Sequence, residues 1–356
     1  MVPAQQAASA QLKDSDFSTG SLKVSLPPGV RFAKLIVVFL LVLFAAALIS
    51  LWTGYRLLNL SDLYQDPAAQ TVLFRLRLPR VLLAGVVGAS LSIVGAALQA
   101  MFRNPLAEPF TLGVSGGGTL GASVAIALGW GANVSGVPLV FLTAFAGSGL
   151  AVLIVARLSR TARVVLPGMI LLAGVVVNLI AGAGVLILQY VTDYTRALQI
   201  LRWTIGSLDV VGFGLVIRLF CFVLPGWCAL LYLARDLHLL AMGDDVAASL
   251  GVNVRRCERL IYLSTSLVVG ASVAVGGTIA FVGLIVPHAV RLLFGEDVRI
   301  VLIGSFFLGA SFLMLADALA RSVLGSGELP VGAVTALCGG VMFLWLLRRH
   351  QRYAAF

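Results

Sequence analysis

Charge is scarce in this chain: Asp, Glu, Lys and Arg together make up 11% of 356 residues, against roughly 25% in an ordinary soluble domain. Lysine is scarcer still. The lysines are Lys13, Lys23 and Lys34, all ahead of or at the edge of the first long apolar run. ATP hydrolysis through a phosphate loop needs GxxxxGK[ST], and no such stretch occurs, so the chain does not hydrolyse ATP by that route. The cysteines (Cys221, Cys228, Cys257, Cys338) lack paired metal-ligand spacing and read as small apolar packing residues. No basic cluster sits in a soluble domain, which argues against a nucleic-acid role. Carboxylates and histidines inside apolar runs, the usual means of ion coupling, reduce to Asp317, Glu108 and His288. Asp317 and Arg321 stand four apart on a helix and are placed to pair with each other, and His288 reads as a hydrogen-bonded structural residue.

What the chain has instead is hydrophobic length. Apolar residues are 60% of the whole. Long runs lie near 35–52, 81–102, 111–129, 137–156, 164–190, 211–234, 260–293, 300–316 and 331–347. Most approach the ~20 residues that cross ~30 Å of hydrocarbon. The run 260–293 is too long for one crossing and holds Gly276, Gly277, Gly283 and Pro287 as break points. Splitting it predicts an all-α polytopic membrane protein of about ten spans, with both termini on one side. With the N-terminus inside, 17 of the 25 basic residues fall in inner segments, as the positive-inside rule requires. Among them are Arg157, Arg160 and Arg163, then Arg255, Arg256 and Arg259, then Arg348, Arg349 and Arg352. The net charge of +10 is therefore mainly a topology signal.

The expected organisation is a flexible cytoplasmic tail over 1–30 and a single transmembrane domain over 31–350. The first apolar run begins too far in for an ordinary cleaved signal peptide. Segment 86–107 (VVGASLSIVGAALQAMFRNPLA) matches segment 268–289 (VVGASVAVGGTIAFVGLIVPHA) at eight of 22 positions. The copies open at spans two and seven and so run in opposite directions. This predicts an inverted-topology repeat with halves near 78–190 and 258–348, an architecture common in transporters. Small residues such as Ser90, Gly95, Gly113, Gly117, Gly121, Gly147 and Gly149 suit close helix approach in lipid.

Two loop regions carry candidate partner surfaces. The inner segment 235–258 has acidic residues opening a helix-favouring stretch from Asp244 to Leu250, with Gly251 beyond it. It reads either as a plain connector or as a surface helix on which a separate ATPase docks. Arg75, Arg77 and Arg80 cluster before span two on the outer side, and Arg321 also lies outside. They read either as headgroup anchors or as a basic rim for an acidic soluble partner.

RLPR at 77–80, NPLAEP at 104–109 and TLGVSGG at 111–117 resemble the FecCD-type permease family. So do ASLGV at 248–252, GTIAFVGLIVPHAVRLL at 277–293, LADALAR at 315–321 and ELPVGAVTAL at 328–337. The resemblance runs from about 70 to 350. It implies a subunit of an ATP-binding-cassette importer for ferric siderophores, haem or vitamin B12, siderophore being the commonest cargo. It also implies a permease dimer, homomeric or with a paralogue, in the cytoplasmic (inner) membrane, with two ATPase subunits below and a periplasmic or lipoprotein binding protein above. No cofactor is expected on this chain; ATP belongs to the partner subunits. By resemblance, Arg77, Arg80 and Arg321 meet glutamates of the binding protein, whereas Arg75 has no match and remains a headgroup anchor. By the same route Gly243, Asp244, Asp245, Ala247, Ala248, Ser249, Leu250, Gly251 and Val252 form the ATPase contact. Some relatives place small hydroxyl residues at a cytoplasmic gate between spans four and five, where this chain has Pro167 and Gly168. The rival classes are an ion-driven secondary carrier and a channel-forming or structural membrane protein.

Overall fold

The structure is a computed structural model describing residues 28–54, 66–134, 136–158, 160–161, 164–165, 167–323 and 327–353, with side-chain surroundings given within 32–344 except at 160–168. The expected tail lies almost wholly outside the described residues. By internal contacts the chain divides into a segment Met1–Val38 and a compact unit Phe39–Phe356.

The described residues are overwhelmingly helical. The helices are α1 Pro28–Trp52, α2 Pro67–Phe102, α3 Val114–Ala127, α4 Leu139–Leu158, α5 Pro167–Val191, α6 Tyr194–Ile205 and α7 Gly214–Tyr232. Then follow α8 Ala234–Ala241, α9 Asp244–Ser249, α10 Val254–Gly276, α11 Val282–Phe294, α12 Val298–Ser322 and α13 Val331–Tyr353. Two-residue antiparallel hairpins, Asn133–Val134 with Val137–Pro138 and Arg160–Thr161 with Val164–Val165, join α3 to α4 and α4 to α5. Seven helices are long and apolar enough to cross a membrane, and three shorter apolar ones accompany them over Val114–Ala127, Val282–Phe294 and Val331–Leu344. Together they are the ten apolar segments expected from sequence.

Helix α2 is the axis of the bundle. Asp66 accepts a hydrogen bond from Ala68 N at 2.8 Å and Pro67 takes the first turn, a standard helix start. A π-helical turn over Val72–Arg77 follows. The helix ends at left-handed Arg103, φ 51°, whose N–H returns to Ala100 and Gln99 carbonyls. In its most apolar stretch α2 is 89% buried, whereas α4 and α5 are each only 22% buried. Those outer helices present Leu150, Leu153, Leu179, Ile180, Leu186 and Ile187, all more than half exposed. A soluble monomer rarely exposes so broad an apolar surface; hydrocarbon is the solvent that such faces require.

Small residues set the packing distance. At Gly95 a Cβ would run into the carbonyl of Gly283 on α11, and at Gly117 into that of Gly147 on α4. Gly121 is similarly pressed against Thr143. These are backbone-to-backbone crossings that only glycine allows. Gly149 differs: nothing lies within 4 Å of its would-be Cβ, so it serves no crossing.

The long run does split, at one of its expected break points. Helix α10 stops at Gly276, and Gly277 turns the chain with φ 68° against the Trp203 carbonyl. Gly283 and Pro287 both lie inside α11 and break nothing. The segment 191–210, between two of the apolar runs, holds α6, capped by Asp193 on Arg196 N at 3.0 Å. The inner segment likewise holds α8 as well as the expected short helix.

Candidate functional site: a charged mouth and an uncovered helix

Helix α2 carries Arg77 and Arg80 near one end of its bundle-spanning part and Arg103 just beyond the other. The 25 residues from Leu78 to Phe102 span roughly 37 Å at 1.5 Å per residue. The two candidate surfaces therefore lie at opposite ends of the bundle.

At the first end the three arginines come together, but as an internal network. Asp317 is 0% exposed. Arg80 Nε donates to its Oδ1 at 3.0 Å, and Arg321 Nε to its Oδ2 at 2.9 Å. The i, i+4 pair expected within α12 is thus present. Arg321 also donates to the carbonyls of Ser50 at 2.9 Å and Thr53 at 3.0 Å. Arg77 donates to those of Leu51 and Trp52, both at 3.3 Å. These carbonyls end α1, where the last helical turn leaves acceptors without intrahelical donors and the dipole is negative. Two arginines expected on a docking rim are therefore 8% and 6% exposed and satisfy a helix C-terminus. Only Arg80 reaches the surface side: its Nη1 donates to Glu328 Oε2 at 2.6 Å and Asp209 Oδ1 at 3.3 Å. Asp209 and Glu328 did not emerge from sequence reasoning, although Glu328 opens the quoted ELPVGAVTAL stretch. A cavity of about 340 Å³ sits here, lined among others by Arg80, Arg202, Asp209, Glu328 and Pro330.

At the opposite end α9 stands on the surface. Gly243 opens it with φ 130°, and Gly251 follows it with φ 87°, both in the region that favours glycine. The N–H groups of Gly251 and Val252 return to Ala248 and Ala247 carbonyls at 3.0 Å, a helix stop of the Schellman kind. Ala247 points inward and is fully buried. Asp244, Asp245, Val246, Ala248, Ser249 and Leu250 are exposed, Leu250 by 60%. Arg103 Nη2 lies 3.3 Å from Asp244 Oδ1 and ties α9 to the end of α2. Nearby, Asp297 caps α12 through Arg299 N at 3.0 Å and holds its guanidinium at 2.8 Å. The Arg299 hydrogen bond keeps the Asp297 carboxyl below its ordinary range. The gate positions come last: α5 starts at Pro167, and the side-chain surroundings of Pro167 and Gly168 lie outside the described residues.

Around the Arg103 end of α2 lies a set of polar contacts, of which only Glu108 stood out in the sequence. Glu108 Oε1 accepts from Phe281 N at 2.5 Å, capping α11 where Phe281 adopts φ 69°. Gln99 donates to the Gly283 carbonyl at 3.1 Å and accepts from Arg291 at 2.5 Å. The signal was available, since NPLAEP holds Glu108, GTIAFVGLIVPHAVRLL holds Arg291, and Gln99 interrupts the apolar run 81–102. Glu108 is committed here and Asp317 at the arginine mouth, so neither belongs to the pool of uncommitted carboxylates. Among the described residues no group of three His, Cys, Asp or Glu is arranged to hold a metal ion.

The FecCD transport family matches residues 35–349. The chain belongs to that family. A hemin transport system permease of Yersinia pestis, HmuU, is 39% identical over 322 residues, covering 89% of this chain and 94% of its own length. A vitamin B12 import system permease of Shigella boydii, BtuC, is 36% identical over 310 residues, covering 86% and 92%. A solved structure described as an inward-facing conformation of a metal-chelate type ABC transporter superposes with TM-score 0.77 at 32% identity, covering 89% of this chain and 99% of that one. The FecCD assignment fixes the fold as that of an ABC-importer permease and sets aside the secondary-carrier and channel readings.

Proposed function

We propose that this FecCD chain is the membrane permease subunit of an ABC importer that moves a ferric siderophore across the cytoplasmic membrane. The observation carrying the permease role is α9: a short helix with its inward residue fully buried and its remaining face, Val246 and Leu250 included, uncovered. In a chain without a phosphate loop, that face suits a separate ATPase, with Gly243–Val252 as the contact through which nucleotide closure is relayed. The basic bias of the segments on the α9 side favours a cytoplasmic location for it and for both termini. The mouth around Arg80 then faces outward and receives the binding protein. Arg80 makes the direct contact, while Arg77 and Arg321 support it from beneath by anchoring the end of α1. Two permease subunits, identical or paralogous, form the pathway. Inverted repeats over 78–190 and 258–348 rock about it, and the start of α5 at Pro167 and Gly168 closes it on the inside.

A second cargo reading, haem or cobalamin, is favoured by the relatives, since the two curated permeases above are named for hemin and vitamin B12. One experiment tests role and cargo together. The permease is reconstituted with its ATPase and binding protein in proteoliposomes, and hydrolysis is followed with ferric siderophore, haemin or cobalamin. The proposal expects stimulation by ferric siderophore and its loss when Leu250 is replaced by Asp. Stimulation by haemin or cobalamin alone moves the cargo to the second reading. Uptake that survives without the ATPase refutes the importer role.

A further inference from the structure

Arg80 is held by three carboxylates of unequal standing. Asp317 is buried and shared with Arg321. Asp209 and Glu328 come from two different loops, and their side chains are 71% and 54% exposed. Both meet the same nitrogen, Nη1, on the side that opens into the 340 Å³ cavity. The loop backbones are fixed independently of these side chains. Ser207 N donates to the Gly276 carbonyl at 3.0 Å, Gly212 N to that of Arg75 at 2.8 Å, and Leu329 N to that of Ala320 at 3.0 Å. Asp209 and Glu328 are thus free to leave Arg80 by side-chain rotation alone, and solvent takes up their exposed carboxylates with little loss, as is usual for ion pairs at a surface. Asp317 cannot leave, because it has no exposure and a second arginine holds it.

Among the described residues at the mouth, four arginines (Arg77, Arg80, Arg202 and Arg321) face three carboxylates (Asp317, Asp209 and Glu328). Swinging the two outer carboxylates off Arg80 leaves its Nη1 open to a partner's carboxylate, with Arg80 still oriented by Asp317 beneath it.

We propose that Asp209 and Glu328 are internal competitors for the docking partner: they occupy Arg80 in the undocked permease and are exchanged for carboxylates presented by an acidic protein surface. The exchange rests on the importer reading given above and adds to it the residues that weaken docking and make it reversible. It also accounts for an arginine that serves docking and yet is only 13% exposed when alone.

The test uses the full-length permease in nanodiscs at low salt, with p-hydroxyphenylglyoxal as an arginine label and hexaglutamate peptide as the acidic probe. Label at Arg80 is read by mass spectrometry, with Arg202 in the same cavity as internal reference. In the wild type Arg80 is expected to label slowly. In Asp209→Ala/Glu328→Ala its rate rises about tenfold relative to Arg202, equivalent to about 1.4 kcal/mol. Hexaglutamate then restores protection at about a tenth of the concentration required in the wild type, and hexalysine does not protect. Asp209→Asn/Glu328→Gln repeats the measurement with side-chain volume retained and is expected to act in the same direction. An unchanged Arg80 rate in both variants overturns the shielding. A raised rate with no protection by hexaglutamate overturns the exchange. Neither readout uses ATPase or binding protein, so failure of the importer reading in proteoliposomes is separable from failure here.

Discussion

Replacing Asp317 by Asn removes the carboxylate that Arg80 and Arg321 share while keeping the shape of the side chain. Three hydrogen bonds are affected: Arg80 Nε to Oδ1 at 3.0 Å and to Oδ2 at 3.2 Å, and Arg321 Nε to Oδ2 at 2.9 Å. Asparagine keeps one acceptor oxygen and turns an NH2 toward a group that only donates. Arg80 retains Glu328 and Asp209, but Arg321, with a side chain only 5% exposed, retains no other carboxylate contact among the described residues. Breaking a buried ion pair from one side costs about 3–5 kcal/mol. At about 2.1 cal/mol/K per residue, 356 residues have an unfolding entropy of roughly 0.75 kcal/mol/K, so the midpoint falls by roughly 4–7 °C. The assay is thermal unfolding in detergent read by a thiol-reactive dye on the buried Cys257, in a background with the exposed Cys221, Cys228 and Cys338 replaced by Ser. Glu328→Gln is the control. It removes the 2.6 Å contact, the shortest of the set, but from a carboxylate that is 54% exposed. Solvent screening holds its effect below about 1 kcal/mol, or about 1 °C. A fall of less than 2 °C for Asp317→Asn, or equal falls for the two variants, would refute the view that burial rather than contact length ranks these ion pairs.

Gly117→Val is expected to prevent a monodisperse fold on fluorescence-detected size exclusion, because the added side chain meets the Gly147 backbone, and overpacking costs about 1–3 kcal/mol or more. Gly149→Val, with open space around it, elutes as the wild type does. Substituting Leu250 by Asp, on the exposed face of α9, should abolish stimulated ATPase activity of the assembled complex while moving the melting midpoint of the isolated permease by less than about 1 °C, as surface changes usually do. Asp297 gives a pH dependence. Its carboxyl is held below the ordinary range by Arg299, so its contribution to α12 is complete above the unfolded-state value of about 3.9 and is lost as pH falls through the lower folded value. Asp297→Asn should therefore flatten the acid limb of a stability–pH curve and lower the plateau near neutrality, measured by helical circular dichroism, which does not depend on thiolate reactivity.

Much of this architecture is written in one dimension because lipid imposes a length rule. A run of about twenty apolar residues crosses as a helix since no other backbone arrangement satisfies its hydrogen bonds alone. Hence ten apolar segments, the break after Gly276 and the short helix opening at Asp244 were all legible in the sequence. The absence of a phosphate loop is equally a property of the string and needs no fold to read. Arginine fates were not legible, because a spacing such as Arg77, Arg80 and Arg321 tells which end of the bundle they share but not what they touch. Their partners are the last carbonyls of α1, an aspartate 237 positions away and two loop acids. Long-range proximity of that kind depends on how helices cross, and crossings depend on which glycines face which backbones. Gly117 and Gly149 look alike in the sequence; only packing makes the first indispensable and leaves the second in open space.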